Sequence, residues 1–153
     1  MDKRELKIDY ITYQKTFPIA YEELCEKAAS SASKAYCIYS NFAVGAAVLL
    51  ENGVIVTANN QENIAYPSGM CAERIALYYA GSTYPTIAVK ALAIFAYSKG
   101  ETFEKMISPC GACRQVMLEM VKRYDKDFDV ILLGQQESVV IKASVLLPFA
   151  FGF

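Results

Sequence analysis

The feature that most limits the folds open to this chain is a pair of short cysteine motifs lying far apart in sequence. One is Cys71-Ala72-Glu73. The other is Pro109-Cys110-Gly111-Ala112-Cys113. Together they offer three thiolates and one carboxylate, a donor set that suits a zinc ion with one coordination position open and a carboxylate beside it. Such a site activates water, so the motifs point to a zinc hydrolase. The chain contains no histidine. No imidazole is therefore available as ligand, general base or triad member. Acid–base work falls to a carboxylate, lysine, tyrosine or thiol.

The pattern between the motifs predicts how they meet. Ile19 to about Tyr36 reads as a helix opened by Pro18, with Glu22, Glu23 and Glu26 in its first turns, Lys34 near its end and a stripe of Leu24, Ala28 and Ala32. Ala43–Leu50 and Val54–Ala58 flank Glu51-Asn52-Gly53, whose Asn-Gly signals an antiparallel hairpin with a type I′ turn. Cys71–Ala80, ending before Gly81, reads as a second helix, and Ile87–Tyr97 as a third strand. Cys110–Tyr124 carries Val116, Met117, Met120 and Val121 at helical spacing and reads as a third helix. Phe128–Leu133 and Val139–Lys142 are strands four and five. Strands alternating with helices predict parallel pairing through right-handed crossovers. The link 134–138 is too short for such a crossover, so strand five should run antiparallel to strand four. The expected fold is α/β: a three-layer sandwich with a mixed five-stranded sheet and helices on both faces. It places Cys71 and Cys110 at the starts of two neighbouring helices.

Composition narrows the function. A chain of 153 residues predicts one domain over 1–153, able to bury roughly 70% of its unfolded surface. Residues 1–17, polar and Tyr-rich, read as an arm packed on the domain or on a partner. A net charge of −1 lacks the basic footprint of a nucleic-acid binder, so a free small-molecule substrate fits better. The hydrophobic fraction is high at 54%, which predicts either a well-filled core or apolar surface buried between subunits. The N-terminus lacks an apolar signal core, and the longest apolar runs fall far short of the ~20 residues of a membrane span. These features predict a cytoplasmic protein with no membrane partner. In a reducing compartment, five cysteines argue for metal or catalysis before disulfides.

A zinc held by three thiolates is net negative, which opposes ionisation of bound water. Two helix N-termini aimed at the sulfurs would offset that charge. Arg74 and Arg114, each directly after a motif residue, are candidates to donate to a thiolate. Each could equally form a surface ion pair. Glu73 lies in the first turn of its helix, well placed beside a metal-bound water; the plainer reading is a glutamate favouring the helix dipole. Cys110-x-x-Cys113 alone also suits a redox dithiol, although it lies far from the first strand and lacks a preceding Trp. Cys37 would be the fourth ligand of a purely structural zinc, but it has no paired spacing. Cys25 and Cys37 read as small buried hydrophobes.

The signature Cys-x-Glu…Pro-Cys-x-x-Cys is the thiolate form of the zinc deaminase pattern. Four stretches, 36–47, 60–74, 108–115 and Leu146-Leu147-Pro148, resemble the short homotetrameric cytidine deaminases in colinear order over about residues 18–152. The resemblance implies one zinc per subunit held by Cys71, Cys110 and Cys113, and attack of activated water on C4 of a pyrimidine. Glu73 would move the proton to N3 and then to the leaving amine. The products would be uridine or deoxyuridine and ammonia, a reaction of pyrimidine salvage. The amide of Ala72 would hold O2, and the carbonyl of Ser108 would accept from the amino group. Phe42 and Val44 would pack on the base. Asn60 and Glu62 match the pair that grips the ribose 3′-hydroxyl; read without the resemblance, they are a polar exit from a strand. A carboxylate there also repels a nucleotide phosphate. Tyr66 and Phe151 resemble residues that reach a neighbouring subunit's site, which implies a homotetramer with shared sites. The family often has Pro where Ile38 and Ala43 stand, and other members continue past the Phe-Gly at 151–152. Polynucleotide and tRNA deaminases carry a longer helical connection before the last strand and a basic groove, both missing here. Two readings stand beside this one: a deaminase for another aminated heterocycle, and a zinc-stabilised binding module without catalysis.

Overall fold

The structure, a computed structural model, describes residues 1–151; the predictions touching Gly152 and Phe153 lie outside the described residues. In chain order the elements are β1 (Tyr10–Gln14), α1 (Glu22–Ala32), β2 (Phe42–Leu50), β3 (Ile55–Asn59), α2 (Ala72–Thr83), β4 (Val89–Ser98), β5 (Glu101–Thr102), α3 (Gly111–Tyr124), β6 (Asp129–Leu132) and β7 (Glu137–Lys142). They form one sheet in the order β1-β7-β6-β4-β2-β3, with β5 attached to the end of β4. The β4–β6 pair is parallel and all other pairs are antiparallel. The expected α/β class, the first hairpin and the antiparallel last strand are all present.

Two strands were not anticipated. Residues 10–14 of the arm pair with β7, Tyr10 opposite Ile141 and Gln14 opposite Glu137. Tyr-Ile-Thr-Tyr is good strand material, but its side chains are mostly exposed, so no apolar alternation marks it. The two-residue β5 exists only because Tyr97 and Ser98 offer it an edge. The expected parallel pairing also holds for only one crossover. β3 and β4 run the same way but do not touch as partners, because β2 lies between them.

Strand alternation splits the core into two layers. Ala46, Val48 and Leu50 of β2 join the larger cluster with Leu77 of α2, Met117 of α3 and Phe128. Ala47 joins the smaller cluster under α1, with Leu24, Cys25 and Ala28. Each large aliphatic or aromatic side chain so buried contributes about 1.5–3 kcal/mol. α1 lies unusually close to the sheet at Gly45, where a Cβ would sit 2.0 Å from the Ala28 carbonyl oxygen. Only glycine permits that approach.

The element ends differ from expectation for local reasons. A 3-10 turn, Ile19–Tyr21, follows Pro18, and α1 stops at Ala32, well before Tyr36. Ser31 Oγ there donates to the carbonyls of Ala28 and Ala58, at 3.1 and 2.8 Å. Serine hydroxyls of this kind compete with the helix ladder. α2 continues through Gly81, whose missing side chain admits Arg123 and Met120 of α3. The β2–β3 turn has positive φ at Gly53 but not at Asn52. Leu50 N–H donates to the Val54 carbonyl and Leu50 C=O accepts from Gly53 N–H, both at 2.9 Å, so the turn closes around three residues, 51–53, and needs one left-handed residue rather than the expected type I′ pair.

Candidate metal centre and substrate pocket

Cys71 and Cys110 are the residues that open α2 and α3, each with extended φ and ψ. Cys113 follows one turn into α3 and is fully buried. The three sulfurs lie within 4.8 Å of one another. Cys71 and Cys110 Sγ are 3.9 Å apart, and Cys110 and Cys113 Sγ are 3.4 Å apart. Tetrahedral zinc with sulfur at ~2.3 Å needs sulfurs about 3.8 Å apart, so the donor set fits that ion. Neither Cys37 nor Glu73 belongs to this cluster among the described residues, which leaves three protein donors. Both Cys71 and Cys110 sit at helix starts, where the first N–H groups lack intrahelical partners and the dipole presents its positive end. Cys71 is lowered to about 5, first by the hydrogen bond from Cys113 and further by Arg74, against the opposing effect of burial. Cys113, the donor in that pair, is raised for the same reason.

Glu73 lies in the first turn of α2, 5% exposed. Burial raises its carboxyl above the ordinary range, and the neighbouring Cys71 charge adds to the effect. A carboxyl raised in this way takes up and returns a proton more readily than an ordinary surface carboxylate. The two arginines part company. Arg74 Nη2 approaches Cys71 Sγ at 3.9 Å, and its Nε is buried with no hydrogen-bond partner among the described residues. Arg114 donates to no thiolate. Its Nε reaches the Pro109 carbonyl at 2.8 Å, Nη1 the Leu146 carbonyl at 3.0 Å and Nη2 the Ser108 hydroxyl at 3.1 Å. It therefore clamps the loop before α3 to the 3-10 turn Ala143–Leu146. Spacing alone could not distinguish a donor to sulfur from a donor to carbonyls brought in by the fold.

A cavity of about 600 Å³ opens above the cluster and is lined by Cys71, Cys110, Glu73 and Ser108 at its floor, and by Phe42, Val44, Asn60 and Glu62 on its walls. Ala72, buried at the start of α2, brings its backbone to this end of the sheet. Asn60 Oδ1 accepts from Val44 N–H at 2.7 Å, while its Nδ2 donates to the Phe42 carbonyl at 2.9 Å. Glu62 Oε2 accepts from the amides of Tyr39 and Ser40 at 2.8 and 3.3 Å, and Oε1 accepts from the Ser40 hydroxyl. These bonds, the Ser40 hydroxyl foremost, hold the Glu62 carboxyl below its ordinary value.

Sequence reasoning missed several wall residues. Ile94 and Ala96 of β4 line the cavity, as do Ile107, Met70, Tyr39 and Ser40. Ile94 and Ala96 follow the same strand alternation as the core, so no local signal marked them. Tyr66, 75% exposed, stands at the rim of this same pocket with its ring edge-on to Tyr39. Phe151 is also exposed and does not line the pocket; its carbonyl accepts from Gln115 Nε2 at 3.0 Å.

Residues 19–124 match the family model described as the cytidine and deoxycytidylate deaminase zinc-binding region. A cytidine deaminase of Sporosarcina psychrophila is 39% identical over 85% of this chain and 90% of its own length. Another, of Halalkalibacterium halodurans, is 38% identical over 84% and 91%. The crystal structure of cytidine deaminase from Burkholderia pseudomallei superposes with a TM-score of 0.73 at 36% identity, covering 86% of this chain and 98% of that one. That of the Mycobacterium tuberculosis enzyme gives 0.70 at 33%, covering 89% and 100%. With the family model matched over most of its length, relatives of 38–39% identity and a sulfur cluster suited to a metal ion, this chain belongs to the zinc-dependent deaminases of the cytidine and deoxycytidylate deaminase zinc-binding family.

Proposed function

We propose that this protein hydrolyses free cytidine and 2′-deoxycytidine to uridine and deoxyuridine, releasing ammonia, as a step of pyrimidine salvage in the cytoplasm. One observation carries the reading: a buried Glu73, its carboxyl raised above the ordinary range, beside three clustered thiols at the floor of a nucleoside-sized cavity. Held by Cys71, Cys110 and Cys113, zinc supplies the polarisation that makes water nucleophilic at neutral pH. Glu73 takes the proton from the attacking water and passes it to N3 of the base. As the new C4–O bond forms, the C4–N3 double bond becomes single and its electron pair takes the proton at N3. Glu73 then takes the second proton, from the new C4 hydroxyl, and passes it to the leaving amine, so that the C4–N bond to that amine breaks, C4 ends as a carbonyl and the amine departs as ammonia. Arg74 tempers the charge of Cys71 through its contact with that sulfur.

The walls hold the substrate. The Ala72 amide takes the pyrimidine O2, and the Ser108 carbonyl accepts from the amino group that leaves. Arg114 keeps that carbonyl in place by holding Ser108 and Pro109 on either side of their peptide. Phe42 and Val44 pack on the base. Counting hydrogen bonds supports the sugar assignment. A carboxylate has about four acceptor positions, and Glu62 uses three of them within the protein. Asn60 keeps one N–H free after bonding Phe42. One acceptor and one donor side by side match a single hydroxyl, the ribose 3′-OH. The same carboxylate disfavours a 5′-phosphorylated substrate and, with the chain's small net charge, nucleic acid. Exposed Tyr66, Tyr78, Tyr79 and Phe151 support assembly as a homotetramer, with Tyr66 and Phe151 completing neighbouring sites.

Zinc-loaded protein should lower the absorbance of added cytidine as uridine forms, and tetrahydrouridine, which mimics the hydrated intermediate, should compete at far lower concentration than uridine. A protein with full zinc occupancy and no turnover would refute this function.

A further inference from the structure

The hydrogen bonds that Glu62 makes within the protein go to one short loop, Tyr39 and Ser40. Its two oxygens are held differently. Oε2 accepts from two backbone amides, Tyr39 and Ser40, and has no acceptor position left. Oε1 is held by a single group, the Ser40 hydroxyl. The one position still open is therefore on Oε1, the oxygen whose placement depends on Ser40. With the amides alone, the carboxylate could pivot about Oε2 and sweep Oε1 away from the pocket.

The same hydroxyl has a second bond, accepting from the Phe42 amide at 3.0 Å. Phe42 forms the aromatic wall of the cavity, and Ser40 itself lines it. Between them Asn41 adopts φ of 54°, with its N–H bonded to the Cys37 carbonyl and its carbonyl to the Lys99 amide. A left-handed asparagine anchored at both ends fixes where the Ser40 side chain points. The serine thus joins the sugar-facing carboxylate to the base-facing aromatic through one oxygen atom.

We propose that Ser40 is a specificity-determining positioning residue, which holds Glu62 Oε1 so that the enzyme discriminates in favour of substrates carrying the sugar 3′-hydroxyl. The inference rests on the nucleoside deaminase reading above. Its two bonds separate its two effects. Loss of the Phe42 bond weakens the base wall, which every substrate uses. Loss of the Glu62 bond weakens only what contacts the sugar hydroxyl.

The test compares kcat and KM for cytidine and 3′-deoxycytidine in zinc-loaded wild type, Ser40→Ala and Ser40→Thr, with zinc content measured for each. Wild type should prefer cytidine. In Ser40→Ala that preference should fall about 5- to 10-fold, mostly through KM for cytidine, the size of one hydrogen bond to a charged group. Ser40→Thr, which keeps the hydroxyl, should restore it. Zinc content should not change. If Ser40→Ala does not fold, Ser40→Cys, a weak donor of similar size, should show the same loss of preference. Equal losses for both nucleosides, or none, in the variants would overturn the proposal, because a purely structural serine would not distinguish the sugars. Failure of wild type to turn over either nucleoside with zinc bound would instead refute the parent reading.

Discussion

The floor and the rim of the pocket are built on opposite plans. At the floor, two helix starts bring backbone N–H groups and three sulfurs together, and Glu73 is buried beside them. Position there follows from rigid elements. At the rim, side chains of Ser40, Asn60 and Glu62 hold backbone amides and carbonyls of the segment 39–44, and little of it is buried. Position there follows from a hydrogen-bond lattice. The lesson is a division of labour. The group proposed to carry protons depends on burial and the helix ends, while the groups proposed to select the substrate also act as struts for the wall they belong to.

Disturbing the floor should cost most. Glu73→Gln is expected to retain zinc and lower kcat by at least about 10³-fold; steady-state assay with metal analysis checks this, and a modest loss would take the proton-transfer role from Glu73. Next, Cys113→Ala removes a fully buried sulfur. It should lose zinc, turnover and thermal stability together, since binding of the metal to the native state alone adds to its stability. Retention of stoichiometric zinc would break the three-sulfur account.

Disturbing the rim should cost less and fall on KM. Asn60→Asp keeps the acceptor for Val44 but loses the donor to the Phe42 carbonyl and sets a second carboxylate near Glu62. KM for cytidine should rise about 10-fold or more with a smaller change in kcat. A loss confined to kcat would contradict the division between floor and rim. The smallest effect concerns pH. Glu62 is depressed below its ordinary value of 4.5. Its clasp is therefore fully present above the unfolded pKa and is lost as pH falls through the lower folded pKa. The Tyr39 and Ser40 amide shifts, followed by NMR, should stay constant down to below pH 4.5, and Glu62→Gln should abolish their titration. A midpoint above 4.5 would show that the carboxylate is not held by these donors.

Much of the floor was legible in the chain because it is local. Cys71 and Glu73 share one helix start, Cys110 and Cys113 another, and short spacing dictates which side chains can point the same way. The rim was legible only in part. Phe42, Val44, Asn60 and Glu62 were recognisable through resemblance. Tyr39, Ser40, Met70, Ile94, Ala96 and Ile107 carry no spacing that separates a pocket wall from ordinary loop or core.

By itself the sequence determined the donor set, the absence of imidazole chemistry and the alternation of strands and helices that carries both motifs to one end of a sheet. Tertiary structure alone decided that residues 10–14 become an edge strand on β7, that β2 separates β3 from β4, and that Arg114 reaches Leu146 rather than a sulfur. It also decided how many hydrogen bonds of Asn60 and Glu62 are left for a ligand. The physical reason is the range of the forces. Dihedral preference and side-chain periodicity act within a few residues, whereas a hydrogen bond chooses its partner only after distant segments have packed against each other.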